Sequence, residues 1–67
     1  MIEVEAAAKD EKPEEGWCIV EFFEPSSGTR LRRIKVKTAG TIEARHVIHG
    51  IWKEATIHKV HSHKPHA

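Results

Sequence analysis

A chain of 67 residues with a formal net charge of +1 has room for one small domain, and domains this short bury only about 60% of the surface that their unfolded chains expose. The single cysteine, Cys18, excludes an intramolecular disulfide, so extra support has to come from a metal or a partner chain. Of the two, a partner is expected. A lone thiol suits a reducing compartment. The opening Met1-Ile2-Glu3-Val4-Glu5 is acidic, unlike a secretory or transit leader, and no apolar run reaches the length of a bilayer. The cytoplasm is the expected address.

Charge is divided along the chain. Residues 1–16 carry six acids against two lysines, −4, whereas residues 17–67 carry nine lysines and arginines against four acids, +5. An acidic arm ahead of a basic body points to an anionic partner, or to an arm that folds back on its own body.

Taken in order, residues 1–16 read as an acidic flexible arm. Ala6-Ala7-Ala8 favours helix, but Pro13 and Gly16 bound the segment and little of it is apolar enough to bury. Ile2 and Val4 alternate with acids, so a short edge strand is the minor alternative. Residues 17–60 read as a β domain and residues 61–67 as a His-rich tail.

Within the β domain, Trp17–Glu24 is rich in β-branched and aromatic residues and ends at Pro25-Ser26-Ser27-Gly28-Thr29. Arg30–Lys37 is a second strand, closed by Thr38-Ala39-Gly40. Thr41–Ile48 and Ile51–Val60 flank His49-Gly50, which suits a two-residue hairpin turn. Pairing across these turns sets Phe23 against Leu31, Glu21 against Arg33, Val20 against Ile34 and Cys18 against Val36. It continues with Val36 against Ile42, Lys35 against Glu43, Ile34 against Ala44, Ile48 against Ile51, Arg45 against Glu54 and Ile42 against Ile57. Apolar meets apolar and acid meets base throughout. The expected fold is therefore all-β, a small four-stranded antiparallel meander, either a single sheet or a small barrel.

A ββα fold is the alternative. Ala44, Val47, Ile48, Ile51, Trp52 and Ala55 also recur at helical spacing, with Thr41 as a possible N-cap. Gly50 and the many β-branched residues weigh against it.

The meander gathers Cys18, Val20, Phe22, Ile34, Val36, Ile42, Ala44, Ile48, Ile51, Ala55 and Ile57 on one face. No long apolar segment remains to cover them, so curling into a barrel or pairing as a homodimer is expected. The other face carries a row of Phe23, Leu31, Val47 and Trp52. Beside it lie Glu21, Arg33, Arg45 and Glu54, then Ile19, Lys35, Glu43 and Thr56, with Trp17 and Lys37 at the edge. Rings among cations on an open sheet are what single-stranded nucleic acid needs, because bases stack on rings and cations neutralise phosphates. Phe23, Leu31, Arg33, Lys35, Lys37, Arg45 and Trp52 are thus the candidate binding residues. The plain alternative makes the charges cross-strand ion pairs and the aromatic row a second small core under the arm. If the face does bind nucleic acid, the acidic arm competes for it.

Six histidines supply the remaining chemistry. His61 and His63, in the run from His58 to His66, are candidate ligands for zinc, nickel or copper, with adventitious binding the ordinary outcome. His46 and His49 fall on opposite faces of a strand. Acidification charges these rings and strengthens binding to any anion. The expected inward aim of Cys18 makes it inert, and no phosphate loop, nucleophile elbow or zinc-protease spacing occurs. The sequence therefore points to a non-catalytic binding module needing no cofactor. Nucleic acid is the leading partner, another protein the alternative (a regulator, inhibitor or small subunit), and metal the third.

Overall fold

A computed structural model describes residues 2–25, 30–38 and 40–63. The elements run β1 (Val4–Ala6), β2 (Cys18–Phe23), β3 (Leu31–Val36), α1 (Thr41–Ile51) and β4 (Thr56–Ser62). The β2–β3 hairpin has the register expected from the side-chain pattern: Cys18 faces Val36, Val20 faces Ile34, Glu21 faces Arg33 and Phe23 faces Leu31. The apolar pairs Cys18–Val36 and Val20–Ile34 on one face and the Glu21–Arg33 pair on the other fix that register, since a one-residue slip would invert both faces. Residues 26–29 of the expected turn, and Ala39 of the next, lie outside the described residues.

Beyond β3 the meander does not form. The sheet is open, in the order β1-β3-β2-β4, with β2 antiparallel to both of its neighbours. Strands β3 and β4 therefore run parallel with β2 between them, and joining parallel strands requires a crossover. Helix α1 supplies it. Residues 41–51 are helical rather than a strand and turn, and the helix lies on the apolar face of the sheet. Ala44 and Ile48 are completely buried there against Cys18, Val20, Phe22, Ile34 and Val36, with Val47, Trp52 and Ile57 partly buried around them. This cover replaces both the barrel and the bare face from which a homodimer was expected. Ile42 and Ile51, expected in the core, are instead 71% and 54% exposed, because the helix turns them away from the sheet.

Local chemistry favours the helix more than propensity alone suggests. Its N-cap is Gly40, not Thr41, and Gly40 makes no side-chain cap. Thr38 does that work from two residues upstream. Its hydroxyl donates to Glu43 Oε1 at 2.7 Å and accepts from the Gly40 amide at 3.3 Å. Glu43 also places negative charge in the first turn, where the helix dipole favours it. Gly50 sits in the last turn, where fewer hydrogen bonds depend on it.

Strand β4 pairs with β2, not with residues 41–48. Its apolar residues Ile57 and Val60 are three apart, out of step with a simple strand. An irregularity opposite Glu21/Phe22 resolves this: Glu21 pairs with Lys59 and Phe22 with Ile57, which leaves His58 as an extra residue. The strand continues to Ser62, so the first two residues of the expected tail belong to the sheet, whereas residues 64–67 lie outside the described residues. At the other end, part of the acidic arm joins the sheet. Val4–Ala6 pairs antiparallel with β3, setting Val4 against Val36 and Glu5 against Lys35, and so forms the edge strand that was the minor expectation.

Gly50 discriminates the two folds experimentally. A Cβ at this position meets nothing within 4 Å, so Gly50→Ala should stabilise the helical chain by about 0.5–1 kcal/mol, raising Tm by about 2–8 °C for a domain of this size. In a two-residue hairpin turn the same change would force alanine into a left-handed conformation and lower Tm. Thermal melts followed by circular dichroism read the sign.

Candidate nucleic-acid interface

The face of the sheet opposite α1 is built by strand alternation. It presents Ile19, Glu21 and Phe23 from β2, Leu31, Arg33 and Lys35 from β3, Glu5 from β1, and Thr56, Lys59 and His61 from β4. Part of it is covered by the segment between β1 and β2, which crosses it at Arg33, Lys35 and the completely buried Ile19.

Arg33 anchors that segment. Its Nη1 donates to the Ala8 carbonyl, its Nη2 to the Glu11 carbonyl at 2.7 Å, and its Nε to Glu21 Oε2 at 3.2 Å. Lys35 Nζ lies 2.8 Å from Glu11 Oε2 and 5.9 Å from the centre of the Trp17 ring. The Glu11 carboxylate also accepts from the Ala8 amide at 3.0 Å, and the Ala7 amide donates to the Arg33 carbonyl at 3.0 Å. Gly16 adopts φ 84°, a left-handed conformation that turns the segment into β2. Between this strap and the sheet lies a recess of about 150 Å³ lined by Trp17, Pro13, Ile19, Lys35, Glu5 and Glu11.

The charges here are tightly matched. Burial pushes the Glu21 carboxyl up, but hydrogen bonds from His61, at 2.7 Å, and from Arg33 outweigh it, and the net shift is downward. Glu11 is lowered by its hydrogen bond from Lys35 and then by the Ala8 amide. Lys35 is raised by the same bond to Glu11, with Glu5 and Glu14 adding attraction. A Glu21–Arg33 cross-strand pair was foreseen. The partner of Lys35 is Glu11 on the arm rather than Glu43, which sits on α1.

The candidate residues do not all meet. Phe23, Leu31, Arg33 and Lys35 share the outer face. Phe23 stands edge-to-face with His58, centres 5.8 Å apart, and Leu31 opposite it is 44% exposed. Lys37 is exposed just beyond β3, where its amide donates to the Glu3 carbonyl at 2.9 Å. Arg45 is exposed on α1, on the other side of the sheet. Trp52 is also on that side. It packs on Phe22 with ring centres 4.9 Å apart, and Arg32 lies 5.2 Å over it while pairing with Glu24 at 3.2 Å. Val47 packs against the core rather than beside Phe23. The strand assignment of residues 41–56 had put all of these on one surface, and the crossover helix removes them. Lys59, His58 and His61 join the outer face instead, a placement that required knowing β4's partner strand.

Of the metal candidates, His61 is held by Glu21 and His63 is exposed just past β4. Among the described residues no three His, Cys, Asp or Glu side chains gather as a ligand set. His46 and His49 are one helical turn apart rather than on opposite faces of a strand, and His49 Nε2 lies 3.1 Å from the Ala55 carbonyl. His66 lies outside the described residues. Cys18 is buried, with its thiol 3.4 Å from the Thr38 carbonyl and its pKa raised by burial, which is the inward position foreseen for it. Among the described residues no helix is long and apolar enough to cross a membrane. Compared with known proteins, the chain matches no family model and has no significant match among curated proteins or solved structures.

The lowered carboxyls make stability acid-sensitive. Each folded pKa lies below the ordinary value of 4.5, so the stabilisation from Glu11 and Glu21 is complete above that value and is lost as pH falls through the folded values. Urea midpoints should hold from pH 7 to pH 5 and drop from pH 4.5 downward. Glu21→Gln should cost about 1 kcal/mol at pH 7 and flatten that acid limb. An unchanged limb in the variant would show that the carboxylate is not coupled to folding.

Proposed function

We propose that the chain is a non-catalytic binding module that takes single-stranded nucleic acid on the outer face of its sheet. The observation that carries this reading is the company kept by Phe23. The ring lies on a sheet face without a helix over it, beside His58, on the same surface as Arg33, Lys35 and Lys59. An aromatic platform flanked by cations offers a base a stacking surface and a phosphate a counter-charge, with no need for a groove-reading helix. The body's net charge of +5 favours a polyanionic partner for the module as a whole. Outside the strap, Arg30, Lys37 and Lys59 are exposed and contribute to that charge.

One observation favours a second reading, a module that binds protein. Among the described residues β4 has a strand neighbour on one side only, and an open edge accepts an added strand. The bulge at His58 and the charge of Lys59 both weaken that edge as a template, which is why nucleic acid is preferred.

Binding of an oligothymidylate of about 20 nucleotides, followed by fluorescence anisotropy, tests the choice. If three cations release counterions, affinity should fall about 20-fold between 50 and 200 mM salt. Phe23→Ala should weaken binding at least about fivefold through lost stacking while the melting curve keeps its cooperativity. Salt-insensitive binding, or full affinity in the alanine variant, would overturn the proposal and leave the strand-edge reading.

A further inference from the structure

We infer that residues 7–17 are a built-in occupant of the polyanion's own track, and that Arg33 and Lys35 are the phosphate-binding pair which this strap must release before nucleic acid can dock. The inference rests on the binding reading above and adds its regulation.

The strap meets the two cations in the way a nucleic-acid backbone would. The Arg33 fork receives two oxygens from the Ala8 and Glu11 carbonyls, in addition to Glu21 from the sheet. Lys35 receives the Glu11 carboxylate, with Glu5 and Glu14 close enough to attract it. Although the strap turns at Ala8–Glu11 and again at Glu14–Trp17, spaced oxygens and negative charge are also what a single strand presents to a basic sheet. The strap is moreover fastened by polar contacts near solvent. The side chains of Lys35 and Glu11 are each about a quarter exposed, and ion pairs of this kind contribute little and are weakened by competing charge. Its apolar hold reduces to Trp17, Pro13 and Ile19 around a partly empty recess. By contrast, β1 is tied into the sheet by backbone pairing with β3, and Val4 packs against the core. Residues 8–17 can therefore lift while β1 and the Ala7–Arg33 backbone bond stay, uncovering Ile19 but leaving the sheet and α1 in place and freeing Arg33 and Lys35 on the face that carries Phe23. Strap closure and oligonucleotide binding then exclude each other, and each weakens the other by the same factor.

The test compares three full-length chains: the native sequence, Glu11→Gln and Glu15→Gln. Both substitutions remove one negative charge from the arm, but only the first removes the partner of Lys35. With oligothymidylate at about 50 mM salt, Glu11→Gln should bind about fivefold more tightly than the native chain, and Glu15→Gln less than about twofold more tightly. In the native chain, oligonucleotide should shift the amide resonances of Ala8 and Glu11 and speed exchange of the Ala8 amide, which donates to Glu11. This native-chain titration keeps the test decisive even if Glu11→Gln disturbs folding. Equal tightening by the two variants overturns the inference. So does native binding that leaves the Ala8 and Glu11 resonances unmoved, while nucleic-acid binding itself stands in both cases. No binding by any of the three chains overturns the binding reading and this inference together. Displacement of the strap by an acidic peptide but not by oligonucleotide transfers the site to a protein partner and also overturns it.

Discussion

Everything in this molecule is arranged around the need to cover β2 on both sides. Three consecutive residues of that strand, Cys18, Ile19 and Val20, are completely buried, although successive side chains of a strand point to opposite faces. One layer of cover is α1, which seats Ala44 and Ile48 over Cys18, Val20 and Phe22. The other is the strap of residues 7–17, which closes over Ile19. A four-stranded sheet with neither layer would leave its apolar residues wet, and so small a domain has little reserve with which to tolerate that.

The two covers differ in kind, and the difference is what gives the outer face its chemistry. The helix is held by apolar burial and by a local polar device at Thr38 and Glu43. The strap is held largely by charge-assisted hydrogen bonds to Arg33 and Lys35. Apolar burial is not weakened by charge screening or by competing anions, whereas partly exposed charge contacts respond to both. The helix side is thus held mainly without charge, and the strap side is where the proposed nucleic-acid strand would exchange with the protein's own acidic segment. The same polarity explains the carboxyl shifts, since Glu11 and Glu21 are both held in their charged form by cations of this face.

Much of the hairpin was legible in the sequence because a β-strand pattern repeats every two residues and fixes register without help from the rest of the chain. Glu21 against Arg33 and Val20 against Ile34 follow from the pattern alone. The stretch from Ala44 to Ala55 was not legible in this way, because its apolar residues satisfy a strand register and a helical period together. Uncovered apolar surface on the hairpin breaks the tie: only the helix places Ala44 and Ile48 over it. The consecutive apolar run Cys18-Ile19-Val20 is itself the mark of a strand buried on both faces, and it was the available signal that the arm would be folded down. The division of charge into −4 and +5 carried the complementary half of that message.

By itself, the sequence determined the β2–β3 pairing, the inward aim of Cys18, Val20, Phe22, Ile34 and Val36, and the attraction between an acidic arm and a basic body. These depend on neighbouring residues and on net charge, which a linear reading captures. Tertiary structure alone decided that β4 lies beside β2, that Trp52 and Arg45 leave the face of Phe23, and that Glu11 is the partner of Lys35. Those outcomes depend on which distant segments meet across the sheet, and that choice is made by the total surface each arrangement removes from water rather than by any local pattern.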